Sequence, residues 1–75
     1  MLDDEVKAVI DNFAGEYDCT IMITPDIKNL IVILDMRKND KWAERHEIRY
    51  SEFTKATLIE ALKSMYEELM KGETE

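Results

Sequence analysis

The sequence has few of the residues that cross-link a small protein, bind a metal ion or form specialised loops. Its 75 residues include one cysteine, one histidine, one proline and two glycines. The single cysteine, Cys19, excludes an internal disulfide, and no Cys/His set has the spacing of a zinc site. Two glycines leave almost no material for a phosphate-binding loop. We therefore expect neither a metal nor a cofactor.

Long hydrophobic runs and a basic leader are also missing. No apolar run approaches the ~20 residues of a membrane span. The first residues, MLDDEV, are acidic where a signal peptide is basic. Together with a free cysteine, these features predict a cytoplasmic protein that has no membrane partner.

Positive charge is scarce as well. Seventeen acids against ten lysines and arginines give a net charge of −7, and residues 1–36 hold eight of the acids against two lysines. Binding to phosphates depends on Lys and Arg, so direct nucleic-acid binding is not expected. An acidic surface suits a basic protein partner, or serves solubility alone.

The length predicts one compact domain over residues 1–72 and a frayed tail over residues 73–75. A chain of this size buries only about 60% of the surface that it exposes when unfolded. Small domains without a disulfide or a structural metal are often stabilised by self-association. The sequence therefore leaves both a homodimer and a monomer open.

The hydrophobic residues that are present centre on Leu30–Arg37 (LIVILDMR). Five consecutive aliphatics are too few for a typical helix, and they favour a strand covered by its neighbours. Before it, residues 17–24 alternate with a period of two, which predicts another strand. Turn-forming residues at 25–29, including Pro25, separate the two.

Residues 41–50 (KWAERHEIRY) permit two predictions. Their Ala, Glu, Arg and Lys content suits a helix, which Asp40 would cap. Alternation of apolar and polar residues instead favours a strand, which we take as the prediction. A three-residue loop would then place Met36 opposite Trp42, and Leu30 opposite Ile48.

Helical spacing of apolar residues predicts a helix over residues 3–14, ended by Gly15. A last helix would begin at Ser51 or Thr54 and end at Gly72. Both apolar stripes need a sheet face to cover. The predicted fold class is α+β, a three-stranded antiparallel meander with two helices on one face, in the order α-β-β-β-α. The covered face would comprise Tyr17, Cys19, Ile21, Ile23, Leu30, Val32, Leu34, Met36, Trp42, Ile48 and Tyr50.

The other face of the sheet would stay open, and it is the first candidate site. An apolar patch edged by arginines has a composition enriched at protein interfaces. β-Branched residues also occupy exposed strands simply because they fit the pleat, with arginine stems lying over them. The candidate interaction residues on this face are Met22, Ile31, Ile33, Arg45 and Arg49.

The acid-rich first helix is the second candidate site. Its carboxylates would imitate a phosphate backbone toward a basic cleft, although an ordinary solvated helix face has the same composition. The candidate contact residues are Asp3, Asp4, Asp11, Glu16 and Asp18.

Two residues invite a catalytic interpretation. His46 has only Glu44 as a near partner on the same face, and Cys19 has no basic neighbour in sequence to lower the pKa of its thiol. A structural histidine and a buried thiol are the simpler interpretations. We therefore expect no catalytic residue.

The element order resembles that of the double-stranded RNA-binding domain over most of the chain. That family binds phosphates through a lysine cluster at the start of its last helix, where this chain has Ser51, Glu52, Thr54 and a single lysine, Lys55. The resemblance therefore implies the topology and not RNA binding.

The chain also resembles small acidic proteins of phages and prophages, some of which inhibit host defence nucleases by occupying nucleic-acid sites. The residues that carry this likeness are the opening MLDDEV, the passage HEIRYSEF and the closing MYEELMKGETE. The likeness implies a binding protein without enzyme activity.

The expected function is a small protein-binding module, a phage-derived inhibitor or modulator of a host protein. It would act through the open sheet face or the acidic first helix. The alternative is a structural homo-oligomer, a subunit of a larger assembly that self-associates through the open sheet face. An enzyme acting through His46 or Cys19 is the third hypothesis.

Overall fold

The computed structural model describes the backbone of residues 4–73 and the side chains of residues 4–71. The predicted helix start at Asp3, and Thr74 and Glu75 of the predicted tail, lie outside the described residues. A short 3₁₀ helix, Tyr50–Glu52, precedes the last helix. The other elements are α1 (Asp4–Tyr17), β1 (Thr20–Asp26), β2 (Ile31–Lys38), β3 (Lys41–Trp42), β4 (His46–Arg49) and α2 (Lys55–Glu73).

The sheet is antiparallel, and β2 lies at its centre. β1 pairs with one side of β2 over all 7 of its residues, while β3 and β4 both pair with the other side. Val32, Leu34 and Met36 of β2 are completely buried under the helices. The predicted α+β fold and the central position of the aliphatic strand are confirmed.

The hairpin between β2 and β3 is one residue shorter than predicted. Asn39 and Asp40 form a two-residue turn, in which Asn39 has the positive φ of 58° that such turns require. Trp42 consequently lies opposite Arg37. The predicted pairing of Trp42 with Met36 is wrong.

A β-bulge then separates β3 from β4. Between the Arg37–Trp42 pair and the Leu34–His46 pair, two residues of β2 face the three residues 43–45. One extra residue in a strand is the defining feature of a bulge, and it bends and twists the strand locally. The single long third strand of the prediction is therefore two short strands.

The shorter turn and the bulge together exchange the faces of two neighbouring residues. Trp42, predicted to be covered by the helices, lies on the open side and is 53% exposed, while Ala43, predicted to be open, is 8% exposed. The bulge restores the predicted alternation beyond it, because Ile48 lies opposite the buried Val32. The predicted pairing of Ile48 with Leu30 is wrong.

Leu30 was also expected on the covered face. It belongs instead to the turn between β1 and β2, where it has a positive φ of 55° and is 58% exposed. Asp26 stabilises this turn by accepting two hydrogen bonds from Asn29, one from its main-chain N–H (3.1 Å) and one from its side-chain amide (2.8 Å). The strand thus starts one residue later than predicted.

The end of α1 also differs from the prediction. The helix continues through Gly15 to Tyr17, and Asp18 adopts the left-handed conformation (φ 52°) that Gly15 was expected to provide. The Cys19 N–H donates to the Ala14 carbonyl at 3.1 Å, which completes a Schellman cap. Tyr17 therefore belongs to the helix and not to a strand.

Helix α2 begins directly after Thr54, one of the two predicted starting residues, and it ends one residue later than predicted. Thr54 caps it: the Thr57 N–H donates to Thr54 Oγ1 (3.1 Å), and the Thr54 N–H donates to Thr57 Oγ1 (2.8 Å). This is the reciprocal arrangement of a capping box, with Thr in the position usual for Glu. Gly72 does not end the helix, which continues to Glu73.

The core lies between the two helices and one face of the sheet. An aromatic cluster closes one part of it, where Tyr17 packs 4.4 Å from Phe13 and 4.7 Å from Tyr66, measured between ring centroids. Burial of each large aliphatic side chain contributes about 1.5–3 kcal/mol, so this single layer supplies most of the favourable energy of folding. The most deeply buried side chains are Val32, Leu34, Met36, Leu58, Leu62 and Met65.

Candidate protein-binding face

The sheet face that the helices do not cover is defined by strand alternation. Side chains opposite one another in an antiparallel pair point to the same side, so the register assigns every strand residue to a face. Arg45, in the bulge, joins this side through its contact with Asp35. The residues of the open face are Thr20, Met22, Thr24, Asp26, Ile31, Ile33, Asp35, Arg37, Trp42, Arg45, Glu47 and Arg49.

Four apolar side chains are distributed along the open face, from Ile31 at the start of β2 to Trp42 opposite Arg37 near its end. Ile31 and Ile33 are half-buried, whereas Met22 is 46% and Trp42 is 53% exposed. The guanidinium of Arg37 lies 5.8 Å from the centre of the Trp42 ring, within range of a cation–π contact. The open face therefore contains the two large residue types, Trp and Arg, that contribute most often to interface energy.

Trp42 is the residue of this face that sequence reasoning missed. Simple alternation assigned it to the core, because a bulge cannot be read from the pattern of apolar residues. The available signal was the Asn39–Asp40 pair, which suits a two-residue turn better than a three-residue loop. That turn alone would have moved Trp42 to the side of Arg37.

The predicted residues Met22, Ile31, Ile33, Arg45 and Arg49 all lie on the open face. Arg45 Nε donates to Asp35 Oδ1 at 3.1 Å, and the Asp35 side chain is only 13% exposed while that of Arg45 is 62% exposed. Arg49 lies opposite Ile31 and is exposed.

The bulge creates an open depression on this face. Its volume is about 430 Å³, and its lining comprises Met22, Asp35, Trp42, Ala43 and Arg45. An aromatic ring, a thioether and an ion pair line this depression, which has room for at least one large side chain. The depression can therefore receive an apolar side chain from a partner, with a polar group directed at the ion pair.

The bulge is held from the other side by α2. The Glu44 N–H, in the bulge between β3 and β4, donates to Glu68 Oε2 at 3.3 Å. Bulges leave main-chain groups without a ladder partner, and this carboxylate supplies one. The position of Trp42 and Arg45 thus depends on a contact between the third strand and the last helix.

The acidic residues of the first helix do not form one surface. Asp4, Asp11, Glu16 and Asp18 are all exposed, and Asp3 lies outside the described residues. At 3.6 residues per turn, Asp4 and Asp11 lie on nearly the same side, whereas Glu16 is roughly 120° away from Asp4.

Glu16 faces the second helix instead. It lines a groove of about 330 Å³ between α1 and α2, together with Lys55 and Lys63. In the same groove Lys55 Nζ lies 3.7 Å from Glu5 Oε1. The two lysines offset the acids on this side of the helix.

His46 and Cys19, the two residues considered for catalysis, lie in different parts of the fold. His46 is half-buried on the helix side of β4, and within the described part of the chain no group of three His, Cys, Asp or Glu side chains is arranged to hold a metal ion. Cys19 is half-buried at the end of α1, where burial raises the pKa of its thiol and the positive charge of Lys38 acts in the opposite direction. A thiol with a raised pKa is a poor nucleophile near neutral pH.

No protein-family model matches the chain, and no curated protein and no solved structure is significantly similar to it. Among residues 4–73, no helix is both long and apolar enough to cross a membrane.

Proposed function

We propose that this protein is a small acidic binding module without enzymatic activity, and that its open sheet face binds a protein partner. The observation that carries the proposal is the exposure of Met22 and Trp42 on the same face as the half-buried Ile31 and Ile33, a face that neither helix covers. Contiguous exposed apolar surface edged by polar groups marks interaction sites in monomeric proteins.

Charge supports a particular class of partner. The open face carries three acids (Asp26, Asp35 and Glu47) and three bases (Arg37, Arg45 and Arg49), so its own charges cancel. Removing these from the chain's 17 acids and 10 bases leaves 14 acids and 7 bases, so the whole net charge of −7 lies outside the face. A partner with an apolar contact patch and a basic surround is complementary to both regions.

The first helix would contribute to the approach of such a partner and not to the central contact. Asp4 and Asp11 lie on one side of α1 and are exposed, and charges at the rim mainly change the rate of association and its dependence on salt. This division agrees with the likeness to small acidic phage proteins, and an inhibitor or modulator of a host protein is the function we propose. We place it in the cytoplasm, where the Cys19 thiol stays reduced.

Homo-oligomerisation through the open sheet face is the second candidate. The balanced charges of this face would let two copies approach there without the repulsion that acts elsewhere between two chains of charge −7. In that case Ile33→Lys would dissociate the purified protein, and no other protein would be needed.

The test of the first candidate compares immobilised variants that differ at one site. The protein, Ile33→Lys, Trp42→Ala and the control Ile27→Lys are exposed to a cell extract at low and high salt. Ile27 is 76% exposed in the turn between β1 and β2, so the control adds the same charge away from the open face. We expect one partner that the protein and the control retain equally and that both face variants lose by at least about tenfold.

Two results would reject the proposal for the open face. One is a partner that Ile33→Lys and Trp42→Ala still bind. The other is a partner that the Ile27→Lys control loses to the same extent. Binding that survives the face variants but disappears at high salt would instead assign the contact to the acidic helix.

A further inference from the structure

The outer edge of β1 has main-chain groups that point away from the sheet. Two hydrogen bonds show which way the main chain of β2 faces. The Tyr50 N–H donates to the Leu30 carbonyl, and the Ala43 N–H donates to the Met36 carbonyl, both at 2.9 Å. The even-numbered residues of β2 therefore direct their main-chain groups toward β3 and β4. Its odd-numbered residues then face β1. Since bonding directions alternate along a strand, Ile21 and Ile23 of β1 direct their N–H and C=O groups outward.

These outward groups have no partner among the described residues. No hydrogen bond within residues 4–73 uses the main chain of Ile21 or Ile23 on that side. Pro25, two residues further on, has no N–H to offer, and the Cys19 N–H is already bonded to Ala14. The open edge is therefore a window of two residues, whose four outward main-chain groups have no partner in the part of the chain that the structure describes.

The two edges of the sheet differ sharply in their protection. The window lies in Cys19–Pro25, whose 7 residues are the longest uncharged stretch of the chain. Proteins prevent edge-to-edge pairing with charged side chains, bulges and proline. The opposite edge has a bulge and the charged residues Lys41, Glu44, Arg45, Glu47 and Arg49, whereas the edge of β1 has Pro25 and one charged residue, Asp26, at its end.

An apolar hollow lies beside the same edge, on the helix side of the sheet. It has a volume of about 230 Å³ and is lined by Val6, Lys7, Ile10 and Ile23. A strand added to β1 would direct the side chains that lie opposite Ile21 and Ile23 toward this side of the sheet. The hollow would therefore receive an apolar side chain from the added strand.

We propose that the edge of β1 pairs in antiparallel orientation with the same edge of a second copy of this chain. Ile21 would exchange two hydrogen bonds with Ile23 of the partner subunit, and Ile23 two with the partner's Ile21. Met22 would lie directly opposite the partner's Met22 on the two-fold axis, and Thr20 opposite the partner's Thr24.

The sequence of β1 fits a second copy in particular. The apolar side chain that enters the hollow would be an isoleucine from the same strand of the other copy. The threonines at the two ends of the window would also pair with each other, and threonine pairs across strands are favourable. No charge lies within the window itself, and the nearest like charges, Asp18 and the partner's Asp26, flank it at both ends. The two sheets would become one, and their open faces would join on the same side; the pairing does not depend on what those faces bind.

The first experiment uses the self-pairing of Met22, which is 46% exposed, so a substitution there removes little buried surface within one copy. Met22→Lys and Met22→Glu each oppose two like charges, so we expect the dissociation constant of the dimer to rise roughly tenfold in both by light scattering over a concentration series. An equimolar mixture of the two should dimerise at least as well as the unmodified protein. Ile33→Lys changes the net charge as Met22→Lys does but lies on β2, and it should leave the mass unchanged.

The second experiment is a cross-link in a Cys19→Ala background. Opposed residues that exchange no hydrogen bonds have Cα atoms about 4.5 Å apart, within the range of disulfides. Met22→Cys should therefore form a covalent dimer under mild oxidation. Thr24→Cys is the control: it pairs with Thr20 of the partner subunit, so its own copy lies four residues along the strand, roughly 14 Å away.

Each contrary outcome overturns the proposal. A monomer at every concentration would show that the edge stays unpaired. A dimer that Ile33→Lys dissociates and Met22→Lys does not would assign self-association to the open face. Failure of the Lys/Glu mixture to dimerise, or equal cross-linking at residues 22 and 24, would exclude the two-fold axis at Met22.

Discussion

The side chain of Lys38, at the end of the central strand, holds the end of the first helix. Its Nζ donates to the Tyr17 carbonyl at 3.0 Å and to the Asp18 carbonyl at 3.1 Å, and it lies 5.9 Å from the centre of the Tyr66 ring. The last carbonyls of a helix lack partners within the helix and carry its negative dipole end. One lysine thereby links β2, α1 and α2.

Lys38→Met should destabilise the fold by about 1 kcal/mol, because the carbonyls of Tyr17 and Asp18 lose a charged donor. The control is Lys41→Met, since Lys41 is exposed on β3, and its effect should stay within about 0.5 kcal/mol. The measurement is the free energy of unfolding in urea at one fixed protein concentration. Equal losses in the two variants would mean that the contact at the end of α1 contributes nothing.

Leu30→Asn should stabilise the protein by about 0.5–1 kcal/mol. A leucine at φ 55° is strained, whereas Asn adopts this conformation readily, and the leucine side chain is 58% exposed and loses little packing. Ile27→Asn, in the same turn without a positive φ, should bring no gain. Thermal unfolding of both variants tests this, and a lower midpoint for Leu30→Asn would show that its side chain packs usefully.

The Asp26 carboxyl should titrate at low pH. The side-chain amide of Asn29 and then its main-chain N–H, both of which donate to the carboxylate, hold the pKa of Asp26 below its usual value. The stabilisation linked to this lowered pKa is present above the pKa of the unfolded chain and is lost as pH falls through the lower folded pKa. Asn29→Ala should raise the pKa of Asp26 in an NMR titration and destabilise more at pH 7 than at pH 2. A pKa unchanged by Asn29→Ala would contradict the assignment.

Cys19 should react slowly with thiol reagents. Burial raises the pKa of its thiol and the charge of Lys38 opposes that effect, so little thiolate exists at pH 7. The alkylation rate should rise with pH to an inflection above the ordinary thiol pKa of about 8.5. Lys38→Met should move that inflection higher still. Reaction as fast as that of the urea-unfolded protein would show that the thiol is not shielded.

Trp42 is the only tryptophan, so its fluorescence reports the position of the third strand directly. At 53% exposure its emission should be that of a solvated indole, and acrylamide should quench it efficiently. The quenching should be measured at a concentration low enough to keep any complex dissociated. Blue-shifted, protected emission would place Trp42 in the core and would contradict the bulge.

Most of the elements followed from local patterns. The aliphatic run of β2, the period of two in β1 and the helical stripes predicted the element order and the single covered face. The open-face residues Met22, Ile31 and Ile33 were also predicted correctly as sharing one side, because β1 and β2 are regular throughout their pairing. The structure separates Glu16 from Asp4 and Asp11, because α1 continues past Gly15, where the prediction ended it, and carries Glu16 to the side that faces α2.

The spacing of apolar residues can be read from the sequence, and it is enough to predict the fold class. Burying those apolar stripes leaves few possible arrangements of short helices and strands. Shifts of one residue in strand register and in the end of a helix depend instead on how the elements pack together. Packing places Trp42 on the open face through a two-residue turn and a bulge that Glu68 supports. It also ends α1 at Tyr17, where Lys38 binds the carbonyls of Tyr17 and Asp18. Because side chains alternate along a strand, a register shift of one residue moves a side chain to the other face of the sheet. The amino-acid composition is the same in both registers. Only the pairing of β3 with β2 and the packing of α2 select one of them.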